Sequence, residues 1–135
     1  MASILRVNTI TDASSNNSTA VSVINQGSCK HWVNFEGDGT VAVSDSTNNA
    51  SITDNATGKY TLTNTNNFNN ATYAYSGGGT HDVGSYNVYL IIDHDTNGGL
   101  ATSSTNVNST SPDASGGGTS TDAELLSFSN HGDLA

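Results

Sequence analysis

Between Cys29 and Thr63 apolar and polar residues alternate almost one for one, in short runs separated by turn residues. In Cys29–Phe35 the period-two pattern sends Cys29, His31, Val33 and Phe35 to one face and Lys30, Trp32 and Asn34 to the other. Gly37-Asp38-Gly39 is a turn, after which Thr40–Val43, Ala50–Ile52 and Lys59–Thr63 repeat the alternation. Tyr73 and Tyr75 form another alternating pair ahead of Gly77-Gly78-Gly79, which reads as a flexible tip. Tyr86–Ile92 is the most apolar run, with Tyr86, Val88, Leu90 and Ile92 on one face, and is the predicted central strand. The polar stretch Thr96–Thr121 predicts loops around one weak strand near Leu100–Val107. Ala123–Phe128 closes the domain and Ser129–Ala135 is a short tail.

Upstream, Ile4, Leu5, Val7 and Ile10 mark a first short strand, followed by the turn-rich Asp12–Thr19. Residues 1–20 read as an N-terminal strand or arm, and 21–135 as the body, opening on a strand at Val21–Ile24. A lone strand leaves its edges and apolar face uncovered, so the arm is expected to pair with a neighbouring chain or the domain edge. The alternative is a first strand of the same domain. No segment carries a sustained i, i+3, i+4 apolar pattern, although Asp122–Leu126 allows one helical turn. The predicted class is all-β: an antiparallel β-sandwich, jelly-roll-like, with an N-terminal strand or arm.

Composition narrows the function more than the fold. Ser, Thr, Asn and Gly make up about half of the 135 residues, and only 33% is hydrophobic. So thin a core implies that partner chains contribute burial, as in an obligate component of an assembly rather than a free monomer. The net charge is −9, with Arg6, Lys30 and Lys59 as the only strong bases. Neutralising phosphates or anionic lipid needs clustered Lys and Arg, so neither nucleic acid nor a membrane surface is an expected partner. No apolar run approaches the ~20 residues of a spanning helix. The opening lacks the basic-then-apolar order of a signal peptide, which predicts a chain made and kept in the cytosol until it assembles into something larger. Cys29 has no second cysteine to bridge and reads as a small buried hydrophobe.

Candidate chemistry is sparse. Asp93-His94-Asp95-Thr96-Asn97-Gly98 matches the first half of a calcium loop, in which alternate oxygens converge and Gly permits the sharp turn. The position that supplies the closing bidentate Glu is Ser104, so Asp93, Asp95 and Asn97 read as a polar turn ending a strand, and no cofactor is predicted. The four histidines lack zinc spacing, and His81-Asp82 has no nucleophile elbow beside it. Glu36 and Glu124 are the only glutamates, far apart in sequence, which argues against paired-carboxylate glycoside cleavage. The chain is read as non-enzymatic. Tyr73, Tyr75 and Trp32 among Asn and Gly suit contact with carbohydrate, since rings stack on sugar faces while amides bond hydroxyls. The same rings serve equally well as packing in the core or between subunits.

The run Trp32-Val33-Asn34-Phe35, Gly37-Asp38-Gly39-Thr40, Asp45-Ser46, Ser51-Ile52-Thr53-Asp54-Asn55 and Gly58-Lys59-Tyr60-Thr61 resembles a module of bacteriophage tail fibres and other virion appendages, those of marine phages especially. Ile4–Asp12 resembles the N-terminal segment of such proteins. The resemblance covers roughly the first half of the chain and fades after Thr63. It departs from the module at Ser44–Asn49, which lacks the basic and aromatic residues often found beside Asp-Ser. It implies a virion structural protein of a tail-fibre-type appendage, a homo-oligomer (homotrimer) of this chain joined through Ile4, Leu5, Val7 and Ile10 to other phage structural proteins of the tail or capsid. Host-surface recognition, including a host surface glycan, would then fall to the loops 76–84 and 98–118, with Tyr73, Tyr75 and His81 as receptor contacts. The alternative on the same domain is a capsid decoration protein (cement or head-fibre) bound outside the head.

Overall fold

The computed structural model describes residues 6–14, 18–81, 87–94, 98–112 and 118–135. Its body is one antiparallel sheet of β3 (Cys29–Glu36), β4 (Ala42–Thr47), β5 (Asn49–Ala56), β6 (Lys59–Asn64), β7 (Ala74–Thr80), β8 (Asn87–Ile92), β9 (Ser104–Pro112), β10 (Gly118–Ser120) and β11 (Leu125–His131). The strands run in the order β4-β3-β11-β7-β8-β9-β6-β5, with β10 paired to β9. The two ends of this path, β4 and β5, are consecutive in sequence and meet at Asn48. One bent strand, 42–56, therefore pairs with β3 by its first half and with β6 by its second. This curls the sheet into a nearly closed, sandwich-like barrel. Full closure is one way a β protein removes sticky edges.

Asn48 makes the corner. Its φ is 60°, in the left-handed region that Asn tolerates better than most residues. Its Oδ1 accepts from Asn66 N at 2.7 Å, its Nδ2 donates to Asn66 O at 3.0 Å, and its carbonyl accepts from Thr65 N at 2.9 Å.

The period-two pattern decides the interior. His31, Val33 and Phe35 of β3, Tyr60 and Leu62 of β6, Val88, Leu90 and Ile92 of β8, Val107 of β9, and Leu126 and Phe128 of β11 are all buried. Phe35 and Tyr60 meet edge to face at 5.2 Å. β8 lies between β7 and β9, in the central position expected for it; Tyr86 falls outside the described residues. One end of the barrel is plugged by Phe68 stacked on Tyr73 at 4.2 Å, beneath a β-bridge from Phe68 to Leu134.

Four expectations need correction. Gly77-Gly78-Gly79 is no flexible tip but the middle of β7. A Cβ on Gly77 would sit 2.6 Å from the Phe128 ring, and one on Gly79 would strike the Leu125 carbonyl. The strand must be bare on its inner side because two bulky β11 residues lean across it. The weak strand placed at Leu100–Val107 is instead nine residues, Ser104–Pro112, pinned between β8 and β6. Its Thr, Asn and Ser residues carry little hydropathy signal, yet Thr105, Asn106 and Ser109 are buried. Residues 129–135 are no free tail, since β11 runs to His131 and Asn69 N donates to Asp133 O. Finally, Val21–Gly27 is a helix, α1, and no strand.

The arm itself is a separate small sheet, β1 (Thr9–Thr11) against β2 (Ser18–Ala20), leading into α1. The nine-stranded sheet begins only at Cys29. None of the described residues between 6 and 27 is buried.

Candidate functional site

A shallow concavity lies on the outer face of β3, β11 and β7. It has a volume of about 550 Å³. Strand alternation builds it: the residues that alternate with the core are turned outward and meet in register. Asn34 of β3, Ser127 of β11, Gly78 of β7 and Tyr89 of β8 form one row across the sheet. Trp32, Ser129 and Ser76 form the next. Leu125 beside Thr80 closes one end.

The floor is made of small, mutually satisfied hydroxyls. Ser76 and Ser129 share a hydrogen bond of 2.9 Å, and Ser127 Oγ donates to Asn34 Oδ1 at 2.7 Å. Half-buried Trp32 rises at one side. Tyr89, 60% exposed, stands beyond Gly78 on the next strand. Among the described residues no charged side chain lines the groove. Such a surface offers ring faces and oriented hydroxyl and amide groups.

The three residues expected to contact a receptor lie in different surroundings. Tyr73 is buried, its hydroxyl donating to Ala101 O at 2.9 Å and sharing a 2.8 Å hydrogen bond with Thr105 Oγ1. Burial pushes its phenol pKa up. It is a core residue that holds the plug, and it is unavailable to a ligand. His81, just after β7, lines a small acidic recess with Asp38, Asp122 and Glu124. Asp122 is engaged there, accepting from Gly58 N at 2.6 Å and Tyr60 OH at 2.9 Å. Tyr75 is 45% exposed and stacks on Phe128 at 5.9 Å, so one face of its ring is covered.

Asp93 is buried and lies 3.3 Å from Lys59 Nζ in an ion pair, a structural engagement for the first position of the calcium-like turn. Asp95 and Asn97 lie outside the described residues. Among the described residues no three His, Cys, Asp or Glu side chains come together as a metal cluster. The expected recognition loops 76–84 and 98–118 are largely strand where they are described: 76–80 belong to β7 and 104–112 to β9.

Of the predicted attachment residues, Val7 is 42% and Ile10 54% exposed, while Ile4 and Leu5 fall outside the described residues. The helix adds Val23 at 59% and Ile24 at 41%, two apolar positions that the arm boundary at residue 20 leaves out. Cys29 is only half-buried, with its thiol donating to His31 O at 3.1 Å.

The interior also holds a polar cluster with no counterpart in the sequence reading. His31 lies 3.4 Å by Nε2 from Asn49 Oδ1 and 3.4 Å by Nδ1 from Asn130 Nδ2, which donates to Thr105 Oγ1 at 3.1 Å. With the Asn130 amide donating, Nδ1 must accept and Nε2 must carry the proton, so the ring is held neutral. Burial lowers the His31 pKa, and the hydrogen bond to Asn49 opposes this in part.

Small residues hid the groove from sequence reading. Ser127 and Ser129 alternate visibly with Leu126 and Phe128, but Ser76 and Gly78 sit in a glycine run with no hydropathy period. No protein-family model, no curated protein and no solved structure matches this chain.

Proposed function

We propose that this chain is a non-enzymatic structural protein of a phage particle, a tail-fibre-type appendage assembled from several copies through the N-terminal arm. One observation carries the reading. The barrel has its own core, whereas Val7, Ile10, Val23 and Ile24 of the arm are exposed and none of the described residues between 6 and 27 is buried. A seven-residue helix without a side-chain cap and a hairpin of three-residue strands are both too short to persist alone in water. They need a cover, and a component of a larger assembly would find one in its neighbours. The resemblance of the first half of the chain to virion-appendage modules supplies the particle. The alternative, decoration of the capsid exterior, uses the same arm against capsid subunits.

A reconstruction of the particle that carries the chain separates these readings. Density at the tail or baseplate with the arm turned inward supports the appendage. Copies on the capsid lattice move the assignment to decoration. Absence from the particle overturns both.

A further inference from the structure

We infer that the outer groove of β3, β11 and β7 is a binding site for a neutral oligosaccharide, with Trp32 as its stacking wall and Gly78 as its open floor. This deepens the recognition part of the proposed function and rests on it for biological context, but the groove is testable on the isolated chain.

Gly78 is the decisive residue. Its two neighbours must be glycine, because a side chain on Gly77 or Gly79 would enter space held by Phe128 or by Leu125 and Leu126. Gly78 answers to no such demand. Its φ is not in the left-handed region, and a Cβ there would meet only the Val88 carbonyl, at an ordinary 3.7 Å. Glycine inside a strand weakens it and often marks close approach of a ligand or another backbone. Here its effect is to leave the groove floor bare, midway between Ser127 and Tyr89.

The chemistry of the walls selects the ligand class. A molecule with net charge −9 repels anions, yet among the described residues no charged side chain lines this groove. An uncharged ligand enters without losing an ion pair or burying a lone charge. The floor presents hydroxyls and an amide already oriented by their bonds to one another, so little side-chain freedom is lost on binding. Trp32 and Tyr89 stand three strand spacings apart, about 14 Å at 4.7–4.9 Å each, which suits a few linked pyranose rings between two ring faces. The volume of about 550 Å³ falls within the range of small-molecule sites, ~300–1,000 Å³.

Trp32 is the only tryptophan of the chain, so intrinsic fluorescence reads this groove directly. The full-length protein is titrated to 20 mM (about this ceiling is reached by weak single sites) with maltotriose, mannotriose and triacetylchitotriose, and separately with trigalacturonate. The expected result is a saturable emission change with at least one neutral trisaccharide. In Gly78→Gln the apparent Kd rises at least tenfold while Tm stays the same or increases. Trp32→Ala, followed by calorimetry, loses the binding heat with its far-UV spectrum retained. No saturable change with any neutral sugar overturns the inference, as does binding of trigalacturonate alone. An emission change on simple dilution of the protein, abolished by Gly78→Gln, also overturns it, because the groove is then covered by a second copy. None of these outcomes alters the location of the chain on a particle, which the reconstruction decides separately.

Discussion

Adjacent glycines of β7 carry opposite consequences, because strand geometry turns alternate positions to opposite faces. Gly79→Ala drives a methyl group into the Leu125 carbonyl and Leu126, neither of which can yield without moving β11. A loss of about 1–3 kcal/mol is expected, as for other overpacked cores. Gly78→Ala, one residue away, meets only the Val88 carbonyl at an ordinary 3.7 Å and is expected to be neutral or stabilising by up to about 1 kcal/mol. Urea unfolding of the pair checks both; equal effects would mean that the two glycines do not face opposite ways. His31 makes a second residue-scale prediction. Burial holds its folded pKa below the ordinary 6.5, so the unfolded chain takes up the proton first as pH falls. The stability it contributes is therefore complete above about pH 6.5 and is lost as pH drops toward the folded value. Between pH 7.5 and 5 the unfolding midpoint of the wild type should fall more steeply than that of His31→Gln. Parallel profiles would mean that the imidazole stays neutral in neither state or both.

Among the elements, the corner at Asn48 does what no regular strand can, letting one segment close both ends of the sheet. Asn48→Val loses the three side-chain bonds to Asn66 and places a β-branched residue at φ 60°. A cost of about 2–4 kcal/mol is expected, combining the unmade hydrogen bonds with the backbone strain. Asn48→Gly keeps the backbone freedom and should lose only the bonds, roughly 1–2 kcal/mol. Chemical denaturation of both variants tests this ranking, and Val milder than Gly would remove the corner argument. The same scale shows what sequence can reveal. β3, β6, β8 and β11 are legible because Val, Leu, Ile, Tyr and Phe alternate with polar residues, and those strands hold the apolar core. β9 and β7 are poorly legible: apart from Val107, their inward positions include Thr105, Ser109, Gly77 and Gly79, which fill space without being hydrophobic. The groove inherits that blindness, since its floor belongs to β7. The helix α1 was not legible either. Val-Ser-Val-Ile has the alternation of a strand, and nothing within the chain explains why it is helical instead.

For the whole molecule, the distribution of charge bears on how copies would assemble. Arg6 and Asp12 cancel within residues 1–28, so the net −9 belongs entirely to the residues from Cys29 onward. Barrels of neighbouring copies repel one another, while the arms meet without like-charge cost. Association through the arms would then be apolar in origin and opposed by the barrels. Added salt screens the barrels, whose repulsion acts over a Debye length that shrinks from about 10 Å at 0.1 M to about 3 Å at 1 M. Raising NaCl from 0.05 to 0.5 M (about a threefold shortening of that length) should therefore strengthen self-association, the reverse of an interface held by ion pairs. The arm variant Ile10→Ser/Val23→Ser/Ile24→Ser should reduce the mass seen by light scattering to that of one chain at every salt concentration. Its barrel should unfold within about 0.5 kcal/mol of the wild type at a dilution where both are monomeric, because none of the three side chains is buried in its own chain. An oligomer that survives the triple substitution, or one that dissociates as salt is raised, would place the contact on the charged barrel and remove the arm from assembly.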